Sequence, residues 1–206
     1  MPTFPNDGLS AIILAGGQGR RMGYRNKGLI QLDGKQLIEH VIARLQSQVN
    51  HIVISANADV DQYSQYGLPV ISDQASNLLG PLAGIAAGLH NIESDYALIV
   101  PCDCPFIPLD LAARMLAEIN KTQRPLCLAQ DPERIQPLFA LLHRKLLPKL
   151  QQSLDRNELK VGRWMREQEH CLIQYDDPLL FFNINTPEEL AQAVKDISQK
   201  PAARIQ

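Results

Sequence analysis

Short apolar runs separated by polar stretches recur along the 206-residue chain. Ala11-Ile12-Ile13-Leu14-Ala15 is continuous and apolar and ends at Gly16-Gly17, the pattern of a strand covered on both faces. Leu37, Val41, Leu45 and Gln48 follow at helical spacing, and His51 then opens a second strand through β-branched Ile52-Val53-Ile54. Residues 58–66 read as a polar helix, Val70-Ile71 as a short strand, and Leu82, Ile85, Ala86 and Leu89 as the apolar side of a further helix. A buried strand at 96–100 stops at Pro101, 109–120 alternates as an amphipathic helix, and 126–129 and 138–142 are strand-like. Near the end, Thr186-Pro187-Glu188-Glu189 offers a cap residue, proline at the first helical position and glutamate at the third. Short buried strands alternating with helices predict an α/β fold: a mostly parallel sheet with helices on both faces. No repeat, linker or low-complexity tract interrupts it. One domain over 1–206 is expected, with a core from about 9 to 192 and frayed termini.

Composition narrows the partners. The chain carries 22 acids against 20 bases, a net charge of −2, which is not the basic balance of a nucleic-acid binder. No apolar run approaches the ~18 residues of a membrane span, and the N-terminus lacks the pattern of a leader. Cys102, Cys104, Cys127 and Cys171 form no C-x-x-C pair, so a zinc knuckle is not expected. Thiols in apolar, strand-like runs pack as small hydrophobes, which suits a reducing, cytoplasmic setting. No predicted helix is apolar on both sides, so a monomer is expected.

The total hides a local excess. Between Gly8 and Leu32 stand Arg20, Arg21, Arg25 and Lys27 and no acid. Four glycines, at 16, 17, 19 and 23, accompany them directly after the first strand. Such a loop lets backbone amides approach an anion while the cations add charge from the side. The spacing is not that of a P-loop, because Gly28 rather than a hydroxyl residue follows Lys27, and it is a poor dinucleotide fingerprint. A flexible surface turn is the competing reading. Asp103, in Pro101-Cys102-Asp103-Cys104-Pro105, lies beyond a buried strand, at the edge where open α/β sheets bind ligands. Asp73 follows the Val70-Ile71 strand similarly, where a carboxylate suits a guanine edge or a ribose hydroxyl and a plain turn is an equal contender. Trp164 either stacks on a flat ligand or packs in the core, and the core is the commoner place. The five histidines show no metal spacing.

The loop Leu14-Ala15-Gly16-Gly17 with Arg21-Met22-Gly23 and Lys27-Gly28-Leu29 resembles the nucleotidyltransferases that activate sugars, isoprenoid intermediates and the molybdenum cofactor. Asn57, Gly80-Pro81-Leu82-Ala83-Gly84, the Pro101–Pro108 box, Gln136-Pro137-Leu138-Phe139-Ala140 and Asn183-Ile184-Asn185-Thr186-Pro187 make the chain similar to the molybdenum cofactor guanylyltransferases. That resemblance implies a Rossmann-like nucleotidyltransferase fold and transfer of GMP from GTP, with magnesium, to the phosphate of a molybdopterin-type cofactor. By the same resemblance Leu14, Ala15, Gly16 and Gly17 meet the nucleotide, Lys27 its phosphates and Asp73 its nucleoside end. Asp103 holds the metal, Asp103 and Lys27 are the catalytic pair, and Asn183 and Asn185 lie toward the pterin. Transient contact with cofactor-insertion proteins or apoenzymes would follow. Tyr24, Asn26 and Ser55 depart from the family pattern, Asn26 by replacing an acid. The alternatives are the same chemistry with CTP or another phosphorylated acceptor, and a non-catalytic cofactor-binding adaptor.

Overall fold

The computed structural model describes residues 8–16, 26–72 and 80–199 of the chain. Gly17, Arg20, Arg21, Tyr24, Arg25 and Asp73 lie outside these described residues, as does everything after Gln199.

Three parallel strands form the centre. β1 (Ser10–Leu14) lies between β4 (His51–Ser55) and β6 (Tyr96–Pro101), and β5 (Val70–Ile71) extends the sheet beyond β4. The full seven-stranded order is β5-β4-β1-β6-β8-β7-β9, with β7 at Leu126–Gln130, β8 at Ile135–His143 and β9 at Cys171–Gln174. β8 runs antiparallel to both its neighbours and is the one reversed strand of this sheet. The period-two pattern that locates a strand carries no information on its direction, so this reversal was not readable from 138–142. A two-stranded hairpin, β2 (Gln31–Leu32) and β3 (Lys35–Gln36), stands apart.

Alternation along the strands sends residues to two opposite cores. Ala11, Ile13, Ile54, Leu98 and Val100 face one side and pack against α1 (Leu37–Leu45) and α4 (Leu111–Thr122). Ile12, Val53, Ala97 and Ile99 face the other, under α3 (Pro81–His90), α5 (Leu147–Asp155) and α6 (Val161–Glu167). Helices on both faces keep water from the backbone of strands that are apolar all round. Trp164 sits in the second core at 4% exposure, so the packing reading holds for it.

Differences in helix length have local causes. The polar helix expected over 58–66 shortens to α2 (Val60–Ser64), because Asp59 ahead of it is left-handed at φ 53°. α1 ends before Gln48, whose buried amide leaves the helical pattern to bond the carbonyls of Arg44 and Pro108 and the amide of Ala112. α7 (Pro187–Gln199) begins as read. Glu189 accepts from the amide of Thr186 at 3.0 Å, and Thr186 Oγ1 accepts from the Glu189 amide at 3.2 Å. A third apolar cluster of Leu32, Leu37, Phe106, Ile184 and Ala193 ties α7 to the hairpin and to the segment after β6.

Candidate active site

Where parallel strands end at one edge of a sheet, their carboxyl termini and the loops beyond them enclose a crevice. Here a cavity of about 320 Å³ opens at that edge, lined by Leu14 at the end of β1 and Gly16 beyond it, Ser55 at the end of β4 and Asn57 beyond it, and Cys102 and Asp103 after β6. Gly80 and Pro81 at the start of α3 form a further wall, with Lys27, Leu138 and Asn183 completing it. Gly80 occupies φ 72°, ψ −165°, a conformation that β-carbons oppose, so a glycine leads the chain into α3 at this wall. No acid stands in the first turn of α3, whose positive dipole end favours a negative charge.

The charged centre is the pair Lys27 and Asp103. The ammonium donates to Asp103 Oδ2 at 3.1 Å and also to Asn185 Oδ1. Their side chains are 20% and 8% exposed, so the pair is more enclosed than a surface ion pair. The backbone carbonyl of Asp103 accepts from the Ile184 amide at 3.0 Å, which fastens the Asn183–Asn185 segment beside it. Glu189 in turn accepts from the Asn185 amide at 2.6 Å, so the first turn of α7 orients the residue that Lys27 grips.

Burial pushes the Asp103 carboxyl above its ordinary value, and the Lys27 charge opposes that shift without cancelling it. A carboxylate in this condition has room for a further positive partner. Asn183 Oδ1 is buried beside it with no hydrogen-bond donor. A carboxylate and an orphaned amide oxygen are hard donors, the type that magnesium takes in small number while substrate phosphates and water complete its octahedron. The residues therefore fit a divalent cation. Among the described residues no group of three or more His, Cys, Asp or Glu could hold one unaided. Cys102 lines the cavity, but burial raises its thiol, and Cys104 is raised likewise; neither is poised as a nucleophile.

Of the positions read from sequence, Leu14, Gly16, Lys27, Asp103 and Asn183 converge on the cavity, and Asn185 reaches it through Lys27. Ala15 turns its side chain into the core and donates its amide to the Ser55 carbonyl at 2.8 Å, so it does not line the cavity. Gly17 and Asp73 lie outside the described residues. Ser55, Gly80, Pro81, Cys102 and Leu138 were given no role from sequence, although most fall within the quoted motifs. Leu138 arrives through an irregularity in β8: Leu128 pairs with Ala140 but Ala129 pairs with Gln136, so 137–139 bulge out of the ladder.

A three-layer α/β fold with a glycine-bounded crevice and, among the described residues, one lining carboxylate paired with a lysine suits a nucleotidyltransferase. Known proteins agree. The "MobA-like NTP transferase domain" profile matches residues 11–171. The molybdenum cofactor guanylyltransferase of Shewanella frigidimarina is 44% identical over 192 residues, covering 93% of this chain and 98% of that protein. Its counterpart from Shewanella halifaxensis is 42% identical over 193 residues, covering 93% and 96%. The molybdopterin-guanine dinucleotide biosynthesis protein A of Archaeoglobus fulgidus superposes with a TM-score of 0.78 at 23% identity, over 92% of this chain and 99% of that one. A CMP:2-keto-3-deoxy-manno-octonic acid synthetase with bound CTP gives 0.73 at 15%, over 93% and 98%. These two structural likenesses speak for the fold, and the sequence matches speak for the family. The chain belongs to the molybdenum cofactor guanylyltransferase family.

Proposed function

We propose that this protein transfers GMP from GTP to the terminal phosphate of a molybdopterin-type molybdenum cofactor. An acceptor phosphate oxygen attacks the α-phosphorus of GTP. The new P–O bond forms as the bond from the α-phosphorus to the oxygen leading to the β-phosphorus breaks, and pyrophosphate leaves with that electron pair. The observation that carries this reading is the enclosed Lys27–Asp103 pair at the edge of the 320 Å³ cavity, beside an orphaned Asn183 oxygen.

Two polyanions must meet, and the chain's own groups reduce their repulsion. Lys27 neutralises the triphosphate, while Leu14, Gly16, Gly17 and the backbone at Ala15 border the nucleotide. Asp73 holds the nucleoside end. Asn183 and Asn185 lie toward the pterin phosphate. Magnesium, held by Asp103 with Asn183 Oδ1 beside it, supplies charge neutralisation at the transferring phosphate when bound. No protein nucleophile is required, because the attacking oxygen belongs to the acceptor and is already ionised. Among the described residues no helix is long and apolar enough to cross a membrane, and the reading is of a cytoplasmic monomer meeting apoenzymes or insertion proteins transiently.

Purified protein, acceptor cofactor and magnesium should release pyrophosphate from GTP. CTP, ATP and UTP should not compete for the site. Preference for CTP would overturn the guanine assignment, and tight GTP binding without pyrophosphate release would favour an adaptor.

A further inference from the structure

Lys27 follows the glycine-rich loop on a single short turn, Lys27–Leu29, rather than on a strand or a long helix. A cation that must meet a phosphate at a fixed distance needs that turn held. The turn closes itself with two backbone bonds, Leu29 to Asn26 and Ile30 to Lys27, each at 3.1 Å. These fix its shape but not its place relative to the sheet.

One anchor is the Cys102 thiol after β6, which accepts from the Gly28 amide, and another comes from α2. Tyr63 is the one buried residue of that five-residue helix and is fully enclosed, while Asp61, Gln62 and Ser64 around it are exposed. Its hydroxyl donates to Asn26 Oδ1 at 2.6 Å. The same oxygen lies against Gly28: a β-carbon there would stand 2.7 Å from the Tyr63 hydroxyl and 3.1 Å from Cys102 Sγ. One phenol oxygen thus grips the residue before Lys27 by a hydrogen bond and the residue after it by close packing. Gly28 is glycine because the backbone must approach both Tyr63 and the strand end that carries Asp103. Burial raises the phenol's pKa, so it remains a proton donor across the ordinary pH range. Asn26 is a neutral acceptor, which leaves no second charge to compete with Asp103 for the neighbouring ammonium.

We propose that Tyr63 is a positioning residue that sets Lys27 for the triphosphate through Asn26 and Gly28. This rests on the reading of Lys27 as the phosphate-binding cation. The test is a double-mutant cycle on GTP affinity, measured by calorimetry with magnesium, with circular dichroism and thermal melting on each variant. Losing one hydrogen bond of this kind should weaken GTP binding about five-fold in Tyr63→Phe. In the Lys27→Ala background, Tyr63→Phe should cost nothing further. Asn26→Ala removes the acceptor instead of the donor, should match Tyr63→Phe alone, and should not add to it in the double variant. Equal losses with and without Lys27 would make Tyr63 a general packing residue and overturn the proposal, as would unchanged affinity in both Tyr63→Phe and Asn26→Ala. If Lys27→Ala itself leaves GTP affinity unchanged, the reading of Lys27 falls and takes the proposal with it. If Lys27→Ala weakens binding and Tyr63→Phe does not, only the positioning role fails.

Discussion

Two aspartates that follow strands of the main sheet are both nearly closed to solvent, one deep in the crevice and one at a hairpin tip, and their carboxyls shift in opposite directions. Asp103 follows β6 at 5% exposure, and Asp131 follows β7 at 3%. Asp131 is surrounded by fixed donors: the amides of Glu133 and Arg134, each at 2.8 Å to Oδ1, and Gln136 Nε2 at 2.5 Å to Oδ2. Burial pushes its carboxyl up, but the bonds from Gln136, Arg134 and Glu133 outweigh that and hold it below the ordinary value. Asp103 meets a single charge, that of the flexible Lys27, and takes a further bond from the Asn183 side chain; burial is the stronger influence, and its carboxyl sits above the ordinary value. The turn carboxylate is saturated by groups that cannot leave. The crevice carboxylate is left short of positive partners, and that deficit is what a cation or a charged substrate would fill.

The sharpest way to break this contrast is Asp103→Asn. The amide keeps the shape and removes a charge that the fold holds at a cost. Turnover should fall about 10³-fold, equivalent to ~4 kcal/mol of transition-state stabilisation. The melting temperature, measured without nucleotide, should stay at or above that of the unsubstituted chain. A large drop in melting temperature with turnover per folded molecule preserved would place Asp103 with Asp131 as a structural group.

Asp131→Ala should show the reverse. It leaves two amides and the Gln136 side chain without their acceptor at a buried turn, and stability should fall by about 3 kcal/mol in urea unfolding. Turnover per folded molecule should change far less than in Asp103→Asn. Because Gln136 starts the bulge that presents Leu138 to the cavity, a modest rise in KM is compatible with this picture. Full stability in Asp131→Ala would show that the bonds at the hairpin tip are replaced by water without penalty.

The central strands were readable because residues buried on both faces leave an unbroken apolar run, as in 11–15, 52–54 and 96–100. Three elements in 147–174 were not read. α6 has seven residues and β9 four, the latter alternating buried and exposed, too short for either period to stand out. The site divided similarly. Asp103 stood out because it lies beyond a buried strand, and the competing use as a helix cap or turn former is weakened by Cys104-Pro105-Phe106-Ile107-Pro108, which delays the next helix. Its partners did not stand out from local pattern, since Lys27 is 76 positions away and Lys27 meets Asn185 across 158. Tyr63 looked like one polar-helix residue among several, and its role depends on which face of a five-residue helix meets the core. Asp131 was not singled out from the sequence, because its bonds to Glu133, Arg134 and Gln136 give it the use of a turn residue.

The finest test of the contrast is acid. Asp131 is held below its ordinary value of 3.8, so the unfolded chain takes up a proton there before the native one does. The stabilisation it contributes is fully present above the ordinary range. It is lost as pH falls through 3.8 toward the lowered native value. The stability gap between the unsubstituted chain and Asp131→Ala should therefore be constant from neutral pH down to the upper edge of the carboxylate range, and should narrow below it. Urea unfolding at a series of pH values reads this directly. A gap that stays constant through the whole acid range would mean that Asp131 acts by shape and neutral hydrogen bonding alone, and the opposition between the two carboxylates would then rest on packing rather than on charge.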